Sequence, residues 1–316
     1  MGWRSTARPA RCSSANGEEE ERMKETIGVV GLGVMGSAMS GHLIDAGFTV
    51  YGYDIDANRV EAFASKGGMP CASATEVAQQ ATLVLLSLPS VAALEDATAA
   101  IVAGAHPDLL VLEMGTLPLS AKEAARSRLA EVGVELMDVP LSGTGLQAAD
   151  ATLVVFASGS EEGYRRALPV FEVIGRSSYH LGEFGTGSVM KYIANLLVTV
   201  HNLATAEAHA LGIAAGLDPA LVQKVMSDGV GASKILDIRG PMMVEDKYEP
   251  PSARLDIILK DAGIIRDFAR SVGAPTPLLD AAIPVYEASK QVGLGDLDAA
   301  ALCRYLEQVG GLERPS

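Results

Sequence analysis

Lys191 and Asn195 stand one helical turn apart, at the start of a stretch (192–206) that carries no other formally charged side chain and is apolar almost all round. At about 100° per residue, Asn195 lies roughly 40° and Asn202 roughly 20° from the lysine around a helix axis, so the three form a narrow polar stripe. Burial disfavours an ammonium, and a lysine on such a surface needs a partner or a chemical task. The task that suits it is proton transfer, because burial brings an amine towards neutral working pH. The other reading is a lysine near a helix start that runs its stem along apolar surface and keeps its head in water. Gly185-Thr186-Gly187, six residues upstream, reads as a flexible entry to the helix.

The elements that must position this pair begin with Thr26–Val30, a β-rich run that ends at Gly31-Leu32-Gly33-Val34-Met35-Gly36. A helical stretch (37–46), Gly47 as its stop and a second strand (48–53) closing on Asp54 complete a βαβ unit. GxGxxG between a strand and a helix, with an acid shortly after the second strand, is a dinucleotide-binding arrangement. Gly31 permits the tight turn, Gly33 admits a pyrophosphate, Gly36 lets the helix pack closely, and the helix N-terminus presents free N–H groups to the phosphates. A carboxylate at Asp54 accepts from ribose hydroxyls and repels a 2′-phosphate. NAD is therefore expected rather than NADP, with Arg59 the one nearby residue that keeps NADP open.

Apolar runs at 82–88, 109–113, 134–139, 152–157 and 178–181 read as further strands of one sheet. The fold class expected is α/β: a doubly wound, Rossmann-type sheet, then an all-helical domain joined to it by one long helix over 185–215. Ligands of such sheets bind beyond the carboxyl ends of the strands, which brings Leu88, Pro89, Thr116 and the turn Ser142-Gly143-Thr144 towards the nicotinamide end of the cofactor. Helical runs at 220–227, 254–271, 278–291 and 299–309 follow, and Met242-Met243 reads as core or dimer packing. The domain boundaries expected are 23–184 for nucleotide binding and 185–316 for substrate and dimerisation.

The bulk numbers restrict the partners. A net charge of −14 argues against nucleic acid and anionic membranes, and obliges an anionic ligand to rely on local donors. Three cysteines without CxxC spacing point to a reduced, cytoplasmic setting, no stretch reads as a membrane span, and the scattered histidines have no metal-ligand spacing. Residues 1–22 differ in kind: an Arg/Ser/Ala-rich segment, then four glutamates, that reads as a disordered extension or a start placed upstream of a natural one at Met23.

Four motifs in order resemble the β-hydroxyacid dehydrogenase family of the 3-hydroxyisobutyrate dehydrogenase and tartronate semialdehyde reductase type. They are Gly31–Gly36, Asp138-Val139-Pro140-Leu141-Ser142-Gly143, Gly185-Thr186-Gly187 leading to Lys191 and Asn195, and Lys260-Asp261. The resemblance implies hydride transfer between NAD and a small anionic hydroxy acid, and the long apolar helix and helical domain lead us to expect a homodimer or homotetramer. The resemblance also implies that Lys191 is the acid/base and that Asn195 holds substrate and lysine in register. Ser142, Gly143 and Thr144 would grip the substrate carboxylate, and Lys260 would close over the cofactor. Three positions depart from the family pattern: Gly115 replaces the serine of a Ser-Thr pair, Thr144 replaces a glycine, and Ala194 replaces an asparagine. Two other readings stay open on the residues alone, an imine reductase of the same architecture and a non-catalytic NAD-binding sensor or scaffold.

Overall fold

The computed structural model describes residues 25–314; the expectation for residues 1–22 lies outside them. The first half alternates strand and helix: β1 (Ile27–Val30), α1 (Val34–Asp45), β2 (Val50–Tyr53), α2 (Ala57–Ser65), β3 (Met69–Pro70), α3 (Ala74–Gln80), β4 (Leu83–Leu86), α4 (Val91–Gly104), β5 (Leu110–Glu113), α5 (Leu119–Ala130) and β6 (Glu135–Asp138). All six strands are parallel, in the order β3-β2-β1-β4-β5-β6. The strand order reverses between β1 and β4, the place where a crevice opens at the carboxyl ends of such a sheet.

Successive residues of each strand supply opposite faces. Ile27, Val29, Leu83, Leu85, Leu110 and Leu112 pack with Met39 and Leu43 of α1, whereas Val84, Leu86 and Val111 pack with Val77, Leu94, Ile101 and Leu129 of α3, α4 and α5. Each such side chain removed from water contributes about 1.5–3 kcal/mol, which is why these strands read as unbroken apolar runs.

The chain then forms β7 (Leu141–Ser142), α6 (Gly145–Ala149), β8 (Leu153–Ala157), α7 (Glu161–Ile174) and β9 (Gly175–His180). These last strands do not extend the main sheet, as their sequence suggests, but make a separate mixed sheet in the order β7-β8-β9. Directly after β7, Gly143 at φ 147° begins a reversal completed through α6, so that β8 runs antiparallel to β7. One bridge, Asp138 to Ser158, joins the two sheets.

The long helix is α8 (Thr186–Ala214), and α9 (Pro219–Asp228), α10 (Lys234–Glu245), α11 (Leu255–Ser271), α12 (Pro277–Ser289) and α13 (Leu302–Gly310) pack around it. Leu203 and Ala206 of α8 share a core with Leu255, Ile258, Tyr286 and Leu302. The sequence reading misses α10 because Gly240-Pro241 looks like a helix breaker. Pro241 is inside that helix on its exposed side, and a Cβ on Gly240 would overlap the Gln223 amide of α9. Met243 is fully buried in the helical core. Among the described residues no helix is long and apolar enough to cross a membrane.

Candidate active site

The loop between β1 and α1 is shaped by what its glycines lack. Gly31 has φ 93°, and a Cβ there would stand 2.3 Å from the Ser87 carbonyl oxygen at the end of β4; a Cβ on Gly36 would stand 1.9 Å from the carbonyl oxygen of Gly31. Gly33 differs, because a Cβ there would meet only Arg59 Nη1, at 3.8 Å, so the space above it is open. Gly33 caps α1 without a side-chain hydrogen bond, no acid occupies the first turn, and Val34 is 73% exposed. A helix N-terminus with free N–H groups in front of an open glycine is what a pyrophosphate requires, so these residues fit a dinucleotide. Gly36→Ala is expected to force α1 off the loop and weaken NADH binding at least about 10-fold at a cost of roughly 1–3 kcal/mol in stability, as read by fluorescence titration and thermal melting.

Asp54 is held at the carboxyl end of β2. Its Oδ2 accepts from Leu32 N at 2.7 Å and its Oδ1 from Asp56 N at 2.9 Å, so the carboxylate is locked beside the glycine loop. Arg59 lies 3.4 Å from Asp54 and 3.5 Å from Asp56. Next to them a pocket of about 420 Å³ is lined by Tyr53, Asp54, Ile55, Val60, Glu61 and Cys71 among others. Leu88 and Pro89 follow β4 and close the other side of the loop, with Leu88 Cδ2 3.3 Å from where a Gly31 Cβ would be.

Lys191 is on the first turns of α8 and is only 8% exposed. Among the described residues no hydrogen bond or ion pair reaches its ammonium. Burial lowers its pKa below the ordinary 10.5; Asp261 opposes that, and the Lys260 and Lys122 cations reinforce it. Asn195, one turn on, donates from Nδ2 to Asp261 Oδ2 at 2.8 Å. Asn202, the third member of the stripe, is structural: its amide donates to the Tyr286 hydroxyl and the Ala299 carbonyl oxygen in the helical core.

Lys260 reaches across from α11. Its Nζ donates to the Thr116 carbonyl oxygen at 2.8 Å and lies 3.0 Å from Asp261 Oδ1. Thr116 is thus tied to α11 through its backbone. The residues on either side of it accept in the same way, Gly115 O from Lys122 Nζ at 2.8 Å and Leu117 O from the Tyr192 hydroxyl at 2.6 Å. Three donors from three helices fix three consecutive carbonyls of the loop after β5.

The turn after β6 differs from its sequence reading in one respect. Thr144 N and Oγ1 both donate to Gln147 Oε1, at 2.8 and 2.6 Å, and its hydroxyl accepts from Leu146 N. Thr144 caps α6 with both of its donors, which leaves this turn the Ser142 hydroxyl and the Gly143 N–H as donors. Gly185-Thr186-Gly187 also acts by contact rather than by flexibility. A Cβ on Gly187 would stand 2.4 Å from the Phe156 carbonyl oxygen, so glycine lets α8 press directly on the strand ends.

Of the charges beneath the site, the sequence reading names Asp138 only as the start of a motif and gives no role to Glu113 or Lys122. Glu113 and Asp138 end β5 and β6, and fully buried Lys122 of α5 lies between them, 2.5 Å from Glu113 Oε2 and 2.8 Å from Asp138 Oδ1. The signal is present in the spacing, since Lys122 shares a helix face with Ala125 and Leu129, both in the core.

Comparison with known proteins follows the same division of the chain. Residues 26–182 match the NAD-binding domain of 6-phosphogluconate dehydrogenase, and residues 185–306 match the NAD-binding domain of NADP-dependent 3-hydroxyisobutyrate dehydrogenase. An L-threonate dehydrogenase of Cupriavidus necator is 36% identical over 93% of this chain and 99% of its own. The chain belongs to the 3-hydroxyisobutyrate dehydrogenase family of β-hydroxyacid dehydrogenases. It is thus an NAD(P)-dependent 3-hydroxyacid dehydrogenase family enzyme. An NAD-dependent L-serine dehydrogenase of Pseudomonas aeruginosa is 28% identical over 90% of this chain and 99% of its own. A solved 3-hydroxyisobutyrate dehydrogenase of Mycobacterium tuberculosis, determined with L-serine, superposes with a TM-score of 0.82 at 28% identity, covering 90% of this chain and 99% of that one.

Proposed function

We propose that this β-hydroxyacid dehydrogenase oxidises a small three- or four-carbon hydroxy acid of the threonate or serine type, with NAD as the nucleotide and Lys191 as the proton acceptor. The observation that carries the reading is an amine nine-tenths buried beside the loops at the strand ends, with no ion pair among the described residues. The nicotinamide, when bound, accepts or returns the hydride. Lys191, neutral, takes the proton of the reacting hydroxyl during oxidation and gives it back in reduction. Asn195 is held by Asp261 and orients the hydroxyl through its carbonyl oxygen. Ser142 holds the carboxylate end with its hydroxyl and Gly143 with its N–H, which suits an anion in a chain of net charge −14.

NAD is favoured over NADP by the carboxylates. The pocket beside Asp54 is lined by Asp54 and Glu61, and the Arg59 guanidinium already faces Asp54 and Asp56, so a 2′-phosphate would displace that pairing. The L-threonate and L-serine dehydrogenases at 36% and 28% identity set the first candidates. Self-association is supported by α8, where Met190, Ile193 and Leu197 form an exposed stripe, 38%, 53% and 49% accessible.

The test is an absorbance screen of three- to six-carbon hydroxy acids with each nucleotide. Threonate or serine with NAD should give kcat/KM at least about 10-fold above NADP, a difference of roughly 1.4 kcal/mol. Silence of the whole panel with both nucleotides, in protein that binds NADH, sinks the proposal.

A further inference from the structure

We propose that Lys122 is a positioning residue for the proton-transferring lysine: through Asp138 and Ser188 it fixes the first turn of α8, and through Gly115 it fixes the loop that carries Thr116. The inference rests on the reading of Lys191 as acid/base.

The first N–H groups of a helix have no partner within it, and in α8 they are satisfied from the sheet. Ser188 N donates to Asp138 Oδ2 at 2.7 Å, Ser188 Oγ donates to Asp138 Oδ1 at 2.8 Å, and Gly187 N donates to Ser158 Oγ at 3.0 Å. Asp138 is therefore an anionic cap supplied by another element, at the positive end of the helix dipole. Ser188 precedes Lys191 by three residues, so whatever fixes this turn fixes where the Lys191 side chain leaves the helix.

A carboxylate fully buried at the end of β6 needs a counter-charge, and Lys122 supplies it. The same Nζ meets Glu113 and Gly115 O, so a single ammonium ties β5, β6 and the loop between β5 and α5. Glu113 accepts from Gly115 N at 2.9 Å, and a Cβ on Gly115 would stand 2.8 Å from Glu113 Oε1. The glycine that departs from the family's Ser-Thr pattern is the residue that makes room for this carboxylate. Burial pulls the Lys122 pKa down, but Glu113 and Asp138 more than restore it, so the ammonium stays charged.

The groups bearing on the Lys191 amine are Asp261 and Lys260 of α11 and Lys122 of α5, with Glu113 and Asp138 behind Lys122. The Lys122 cation disfavours a proton on Lys191, so removing it favours the protonated form. The rate of oxidation rises with pH as Lys191 loses its proton, so that rise moves to higher pH.

The experiment uses the full chain and three variants, Lys122→Met, Ser188→Ala and Lys191→Ala. Turnover is followed over roughly pH 6 to 10, with NADH affinity and circular dichroism as controls. Folded Lys122→Met should lose at least about 10-fold in kcat and shift its acidic limb upward by about half a unit or more, with NADH binding retained. A packing defect alone lowers kcat in proportion to the folded fraction and leaves the limb in place. Ser188→Ala keeps every charge pair, and it decides the matter if Lys122→Met does not fold. It should lower kcat about 5-fold or more at unchanged KM. Wild-type kcat in Ser188→Ala, or an unmoved limb in folded Lys122→Met, overturns the proposal. An active Lys191→Ala instead overturns the reading on which it rests; a silent one beside a wild-type-like Lys122→Met overturns this inference alone.

Discussion

Lys191→Met is expected to abolish turnover and, at the same time, to make the protein harder to melt. Loss of a positioned acid/base costs typically 10²–10⁴-fold, so kcat should fall by about 10³ while NADH affinity stays within about 3-fold. The stability change has the opposite sign. In the unfolded chain this amine keeps its proton up to the ordinary 10.5, whereas burial makes the folded chain release it earlier. Between the folded and unfolded values the unfolded chain binds more protons, so the destabilisation is complete below the folded pKa and fades as pH rises towards 10.5. Each pKa unit is worth about 1.4 kcal/mol, and methionine replaces the amine with a thioether of similar length. The variant should melt roughly 2–4 °C higher per kcal/mol recovered, most clearly below the folded pKa and least near pH 10.5. Retention of a tenth of wild-type kcat would remove Lys191 from the mechanism. A lower melting temperature would show that the ammonium is stabilised by contacts rather than strained by burial.

Asp298→Ala should be the most destabilising single change in the helical domain, far from the chemistry. Asp298 is fully buried, and its two oxygens accept from Arg239 Nε at 3.2 Å, Ser252 N at 2.8 Å, Ser252 Oγ at 2.6 Å, Ala253 N at 3.0 Å and Ala300 N at 3.0 Å. One carboxylate thereby ties α10, the segment before α11 and the turn that starts α13. Burial alone would raise its pKa, but Arg239 and the donors from Ser252, Ala300 and Ala253 hold it below the ordinary 3.8. A depressed carboxylate stabilises the fold fully above its unfolded pKa, and that contribution is lost as pH falls below it through the folded value. Truncation also leaves the buried Arg239 cation unpaired, and breaking such a pair costs about 3–5 kcal/mol. The melting temperature should drop by on the order of 10 °C. The double variant Arg239→Met with Asp298→Leu should recover much of that loss, because an apolar pair has no desolvation cost. Calorimetry at neutral and acidic pH reads both effects, and a melting temperature within about 2 °C of wild type for Asp298→Ala refutes the argument.

These two residues differ in how visible they are in the chain. Lys191 is visible because it interrupts a long apolar run, and the glycine loop because a strand, three glycines, a helix and Asp54 follow one another within a few tens of residues. Both signals are local. Asp298 looks like an ordinary cap for the helix that follows it, and indeed its Oδ1 accepts from Ala300 N. Its larger role depends on Arg239, which is brought to it by the packing of α10, a helix that Gly240-Pro241 conceals. Lys122 was similarly legible as a charge on an apolar helix face, but its meaning depends on Glu113 and Asp138 ending neighbouring strands in register.

Local spacing by itself therefore determined the nucleotide-binding loop, the alternation of strands and helices, the long helix and the lysine on it, because each arises from neighbours a turn or a pleat apart. Tertiary structure alone decided that strands 153–157 and 175–180 leave the main sheet and that Thr144 caps a helix instead of offering donors. It also decided that Gly187 is a contact rather than a hinge, and that Lys122, Asp138 and Ser188 form one unit. The physical reason is that backbone periodicity acts over a few residues, whereas the partner of a buried charge or donor is chosen by whichever surface the folded chain presses against it.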